Sequence, residues 1–257
     1  MPWMHEAIGT AEWTGTPLTP FLKRAAPQEG VADFVFEGAD YGFDKGVGHP
    51  FGRSLTPAEV EALDVMLVYE MNGAPLPPQH GAPLRLLVPG WYGMASVKWL
   101  SRIEALRTRY QGFQQVGTYR FRQTEDEPGE PVQEIRVRAL MVPPGVPDWI
   151  TRKRWLRAGP VRLQGRAWAG AVPVAGVEVL VDGGWQPATL SEPAGRYAWA
   201  GWHLDWAAQP GHHVLACRAT DANGNTQPLE PVWNLSGFAN NAVQRVEVFV
   251  AEGETAA

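Results

Sequence analysis

Tyr69-Glu70-Met71-Asn72-Gly73-Ala74-Pro75-Leu76-Pro77-Pro78-Gln79-His80-Gly81-Ala82-Pro83-Leu84-Arg85-Leu86-Leu87-Val88-Pro89-Gly90-Trp91-Tyr92-Gly93-Met94-Ala95-Ser96-Val97-Lys98-Trp99-Leu100 holds the densest set of unusual residues in the chain. Residues 65–71 read as a strand that ends at the turn signal Asn72-Gly73. Residues 84–88 read as a second strand, stopped by Pro89-Gly90. Arg85 falls on that strand, His80-Gly81 precedes it, and Lys98 follows two further glycines. Arginine offers a bidentate fork and lysine a point charge, and glycines let backbone N–H groups approach a ligand, so the group suits a phosphate. The same residues also suit a turn histidine and two solvated cations on strand edges, and spacing alone does not choose.

Outward from this stretch, Thr56-Pro57-Ala58-Glu59 predicts a helix over 56–63, with Thr56 as N-cap, Pro57 at the first helical position and Glu59 closing a capping box. Residues 96–106 are ambiguous between strand and helix. Pro143, Pro144 and Pro147 fall within five residues and cannot continue a helix or a central strand. They read as a surface linker and divide the chain into segments 1–140 and 141–257. The second segment carries five short alternating runs, at 161–168, 177–181, 197–204, 213–219 and 243–250, with turn signals between them. That pattern predicts a β-sandwich.

Composition limits the function. The 257 residues include 28 glycines and 23 prolines, about a fifth of the chain against a usual ~12%, which argues for many turns and against a helical bundle. Twelve tryptophans imply large buried anchors or a ligand-facing surface. Residues 1–133 carry 11 basic and 16 acidic groups and the remainder carries 11 of each, so nucleic-acid binding over a broad surface is not expected. No apolar run reaches the ~20 residues of a membrane span. One cysteine, Cys217, excludes an intrachain disulfide and any multi-cysteine metal site. His212 and His213 precede a strand and point to opposite faces, which disfavours a shared metal. Arg152-Lys153-Arg154 with Arg157 reads as a solvated basic run.

The stretch at 69–100 resembles the sulfite oxidase family of molybdenum enzymes, whose form is close to YEMNG-x-PLP-x-x-HG-x-P-x-R-x-x-VPG-x-x-G-x-x-x-VKWL. Ala7-Ile8-Gly9-Thr10-Ala11-Glu12-Trp13-Thr14-Gly15, Phe36-Glu37-Gly38-Ala39-Asp40 and Val232-Trp233-Asn234-Leu235 with Asn241 and Gln244-Arg245-Val246 extend the resemblance over nearly the whole chain. It implies an α+β fold: a partial sulfite-oxidase-type molybdopterin-binding domain followed by an immunoglobulin-like β-sandwich dimerisation domain, hence a homodimer. It implies a molybdopterin cofactor contacted by Asp40, His80, Arg85, Ser96, Val97 and Lys98. Tyr119 lies where the family places an active-site tyrosine, and Trp3 where it places a substrate-pocket tryptophan. The implied reaction is oxygen-atom transfer to sulfite or a similar small oxyanion. With no haem-binding domain, the electron acceptor would be external.

The chain also departs from the family. The family's molybdenum-ligating cysteine belongs upstream of the Ala7–Gly15 match, so the chain is expected to be the C-terminal portion of a longer enzyme with no metal ligand of its own. Cys217, on a sandwich strand, reads as a structural thiol. Ser236 stands where animal and plant sulfite oxidases carry a substrate-binding arginine, which weakens the case for sulfite itself. A non-catalytic dimerisation or binding module with a vestigial pterin pocket is the alternative reading, and a Trp-rich carbohydrate-binding sandwich is a weaker one. The sequence is compatible with a soluble protein on either side of a bacterial membrane.

Overall fold

A computed structural model describes residues 7–44 and 46–252. Trp3 lies outside the described residues. The chain forms two compact units, one of Thr10–Glu134 with Trp233–Phe238, the other of Ile135–Val232 with described residues 7–9 and 239–252.

In the first unit, β1 (Trp13–Pro17), β4 (Met66–Met71) and β5 (Ala74–Pro75) form an antiparallel sheet, and β6 (Arg85–Leu87) also pairs with β4. β2 (Asp33–Asp44) lies between β3 (Val47–Leu55) and β7 (Leu100–Leu106) in a second sheet. β8 (Arg120–Phe121) pairs with β9 (Glu130–Pro131). Two short α-helices, α1 (Thr19–Ala25) and α2 (Pro57–Ala62), and single helical turns at Pro78–His80, Gly93–Ala95 and Phe113–Gly117 complete the unit. The β4–β5 hairpin turns through Asn72 and Gly73, both at positive φ, as a two-residue loop between right-twisted strands demands. α2 starts as the sequence predicts: the Glu59 N–H donates to the Thr56 hydroxyl at 3.1 Å, and the Thr56 N–H donates to the Glu59 carboxylate at 2.7 Å. Its buried residue, Val60, joins Phe36, Leu18, Leu86, Val88 and Val97 in one core. The ambiguous stretch 96–106 resolves into a strand only from Leu100, because Trp99 takes a left-handed backbone (φ 48°) and breaks the run.

The second unit is a sandwich. One sheet orders β10 (Arg138–Val142), β13 (Gly159–Trp168), β17 (Ala200–Ala208) and β16 (Thr189–Leu190). The other orders β11 (Val146–Pro147), β12 (Arg154–Arg157), β19 (Gln244–Ala251), β18 (Gly211–Asp221), β14 (Val174–Val181) and β15 (Gly184–Pro187). All pairings are antiparallel except β12 with β19. Inward residues of both sheets, among them Leu163, Val179, Leu215 and Val248, form the core. Trp202 and Trp206 are buried in it, so these rings serve packing rather than a sugar-facing plane. Of the proline strip, Pro143 and Pro144 lie between β10 and β11, and Pro147 ends β11, a two-residue edge strand. All five predicted strands begin within three residues of their expected starts; the third, β17, starts at Ala200 rather than 197 because residues 195–198 form a turn. The α+β class and the immunoglobulin-like second domain describe this architecture.

Candidate functional site

Three backbone segments meet beside β6, and each has a reason to do so. The Ala39 N–H donates to the Trp99 carbonyl at 2.8 Å, which docks the end of Phe36–Asp40 on the segment after Ser96. Gly38 permits this approach, since a Cβ there would lie 2.7 Å from the Lys98 carbonyl oxygen. Gly81 (φ 105°) permits the other, since a Cβ would lie 2.9 Å from the Lys98 Cβ. Trp99 then locks the loop before β6, its indole N–H donating to the Pro78 carbonyl at 2.8 Å and its backbone N–H to the Gly81 carbonyl at 3.3 Å.

Arg85 is the rivet of this junction. Its side chain is buried, Nη1 donates to the His80 carbonyl at 2.9 Å and Nη2 to the Ser96 carbonyl at 3.1 Å. The guanidinium also faces the Trp13 ring at 5.1 Å. Burial pulls its pKa below the ordinary arginine value. Of its five N–H donors, the two carbonyls and a long contact from Nε to the Leu86 carbonyl at 3.4 Å engage three. Lys98 is half-buried, with Nζ donating to the Gln79 carbonyl at 3.0 Å and lying 4.2 Å from the Trp99 ring centroid.

The other predicted positions divide by which atoms they offer. Ser96 accepts the Val88 N–H on its hydroxyl at 3.0 Å, so its side chain is committed to the fold. The Val97 side chain is fully buried in the core. The backbone N–H groups of Val97 and Lys98 donate to no acceptor among the described residues. Asp40 Oδ1 is buried without a hydrogen-bond partner. A buried acceptor without a donor and two free amides beside a lysine are what a hydrogen-bonding anionic ligand would satisfy. The structure therefore brings Asp40, His80, Arg85, Ser96, Val97 and Lys98 together.

Tyr119 belongs to a different group of side chains in the same unit. It takes positive φ (42°), its ring stacks on Phe238 at 5.5 Å, and the Arg53 guanidinium lies 5.7 Å from its centroid. Phe238 is held by Asn234, whose carboxamide accepts its N–H at 2.8 Å and donates to its carbonyl at 3.0 Å. Ser236 is an exposed residue within that loop. Burial, with a smaller push from Asp44, raises the Tyr119 pKa against the opposing pull of Arg53, so the phenol stays a hydrogen-bond donor at neutral pH.

Sequence reasoning missed Arg53 and Tyr110, which meet at this place. Burial lowers the Arg53 pKa to about 10, and Tyr119 and Tyr110 are the groups that most favour its charge. Strand parity was the available signal, since Arg53 shares its face of β3 with Phe51 and Leu55. Cys217, by contrast, is buried in β18 and burial pushes its thiol up to about 12, which suits a structural role. Among the described residues no cluster of three or more His, Cys, Asp or Glu side chains is arranged for a metal. No helix among them is long and apolar enough to cross a membrane.

Comparison with known proteins agrees with both units. The family described as "Oxidoreductase molybdopterin binding domain" matches residues 1–114, and "Mo-co oxidoreductase dimerisation domain" matches residues 130–251. Over 276 aligned positions the chain is 35% identical to "Sulfite oxidase, mitochondrial" of Homo sapiens, covering 98% of this chain and 48% of that protein. It is 30% identical to "Nitrate reductase [NADH]" of Solanum lycopersicum, covering 97% and 30%. The crystal structure of the sulfane dehydrogenase SoxCD from Paracoccus pantotrophus superposes with a TM-score of 0.78 at 28% identity, covering 91% of this chain and 59% of that one. The chain spans about half the length of the sulfite oxidases it matches.

Proposed function

The chain belongs to the sulfite oxidase family of molybdopterin-dependent oxidoreductases, and on that premise we propose that its first unit holds a molybdopterin and takes part in oxygen-atom transfer to sulfite or a similar small oxyanion. The observation that carries this reading is the convergence of a buried, partnerless Asp40 oxygen with Lys98 and two free amides.

Each residue has a distinct task. Lys98 Nζ, the His80 ring and the free donors of Arg85 would bind the terminal phosphate through charge-assisted bonds. Asp40 Oδ1 would accept an N–H from the pterin, and the Val97 and Lys98 amides would donate to its acceptors. Ser96 acts through its backbone, because its hydroxyl is occupied by the Val88 N–H. When bound, the group supplies the two-electron redox centre at which oxygen-atom transfer takes place. Tyr119 would orient the oxyanion by donating its phenolic proton as a hydrogen bond. Electrons would pass to an external acceptor, and the second unit would pair two chains in a homodimer.

The test is to express the chain in a cofactor-replete host and measure molybdenum, pterin and sulfite-dependent reduction of an artificial one-electron acceptor. Bound pterin with turnover supports the whole proposal. Bound pterin without turnover refutes the substrate assignment for this chain. A folded dimer with no pterin refutes the cofactor assignment and leaves a non-catalytic module.

A further inference from the structure

Arg53 is a buried cation without a counter-ion. Its residue is 3% exposed. Nη1 donates to the Gln114 carbonyl, and Nε is buried with no hydrogen-bond partner. Among the described residues no carboxylate forms an ion pair with it. Glu59, the acid with an influence on it, is already committed to the Thr56 N–H at 2.7 Å and to the Gln133 amide at 2.9 Å.

The surroundings make this charge harder to hold. Burial is the larger effect on both Arg53 and Arg120, and beyond it Arg120 disfavours the charge on Arg53 and Arg122 that on Arg120. Both are anchored by backbone carbonyls, Arg120 Nη2 donating to Gly129 at 2.6 Å and Arg122 Nη2 to Val116 at 2.5 Å. Arg122 Nε is a second buried donor without a partner. A fold that gathers three guanidinium groups and leaves two N–H donors unused is organised for an anion that arrives from outside.

We propose that Arg53 is the receptor for the substrate oxyanion, its Nε–H and the Tyr119 hydroxyl receiving the oxygens while Arg120 and Arg122 supply positive potential. This rests on the oxyanion-oxidoreductase reading above and adds the specificity-determining residue.

Sulfate is the probe. The protein as purified is titrated with sodium sulfate against sodium chloride at matched ionic strength, following the thermal midpoint and pterin content. Sulfate should stabilise the wild type, Arg53→Met should weaken sulfate binding by ~10-fold or more, as loss of a charge-assisted bond implies, and Arg53→Lys should retain part of the response. Arg162→Met, on the other unit, should leave it unchanged. An unchanged response in Arg53→Met overturns the assignment and leaves the cofactor reading intact. Loss of pterin together with the response would mean that Arg53 serves the cofactor's phosphate, which also overturns it. Should Arg53→Met fail to fold, wild-type crystals soaked in selenate decide: an anomalous peak within hydrogen-bond reach of Arg53 Nε supports the proposal, and peaks confined elsewhere overturn it.

Discussion

Replacing Arg85 by alanine separates support from ligand contact. The substitution strands the His80 and Ser96 carbonyls, both bound to the guanidinium in the native structure. A buried polar group left without a partner costs ~1–3 kcal/mol, so two of them, softened by local relaxation, give roughly 2–5 kcal/mol. Lys98→Ala removes one exposed bond to the Gln79 carbonyl and should cost less than ~1 kcal/mol. Hydrogen exchange followed by mass spectrometry reads the difference locally. Peptides spanning 80–100 should exchange on the order of 100-fold faster in Arg85→Ala, since every 1.4 kcal/mol is tenfold. Those spanning 161–168, in the other unit, should not change. Both variants should lose pterin, Lys98→Ala without a change in exchange. Wild-type exchange rates in Arg85→Ala together with pterin loss would refute the reasoning, because the guanidinium would then serve the ligand alone and not hold the His80 and Ser96 segments together.

Three further outcomes follow from the geometry. Gly81→Ala forces an L-residue to φ 105° and a Cβ against Lys98, so it should destabilise the first unit by roughly 1–3 kcal/mol and lower pterin content, as read by urea titration and pterin fluorescence. Thr56→Ala opens the capping box of α2 and should cost ~1 kcal/mol in the same titration with pterin content unchanged. In the second unit, burial opposes the charged form of His213, yet its hydrogen bonds to Asp182 at 2.6 Å and the Gln209 carbonyl at 2.8 Å outweigh that and raise its pKa above 6.5. The folded state therefore binds the proton more tightly than the unfolded one, and this stabilisation is complete below the unfolded pKa and fades as pH rises through the folded one. Thermal melts should show it, and Asp182→Asn should flatten that dependence; an unchanged slope in the variant would assign it to other groups.

What could be read from the sequence was what depends on near neighbours. The Thr56–Glu59 box, the Asn72-Gly73 hairpin and the alternating sandwich strands are settled within a few residues by capping, turn and pleat chemistry. The stretch 96–106 was opaque because Trp99 leaves the strand conformation in its middle, and only pairing with β2 completes β7. That the residues of 80–98 meet beside β6 follows from packing, and which atoms each offers was not legible. Spacing treats Arg85 and Lys98 alike, whereas packing gives Arg85 two carbonyls to bridge and leaves Lys98 with one exposed bond. Arg53 was passed over because what gives it meaning, Tyr110, Tyr119, Arg120 and Gln114, lies some 60 residues away in sequence.

Pterin stoichiometry is the most direct test of the pterin cradle proposed at Asp40, His80, Arg85 and Lys98. The protein from a cofactor-replete host, oxidised to release a fluorescent pterin and quantified per chain, should carry close to one equivalent, and Lys98→Ala should carry far less while its hydrogen exchange stays native. Equal pterin in wild type and variant, or none in a natively folded wild type, would contradict the account.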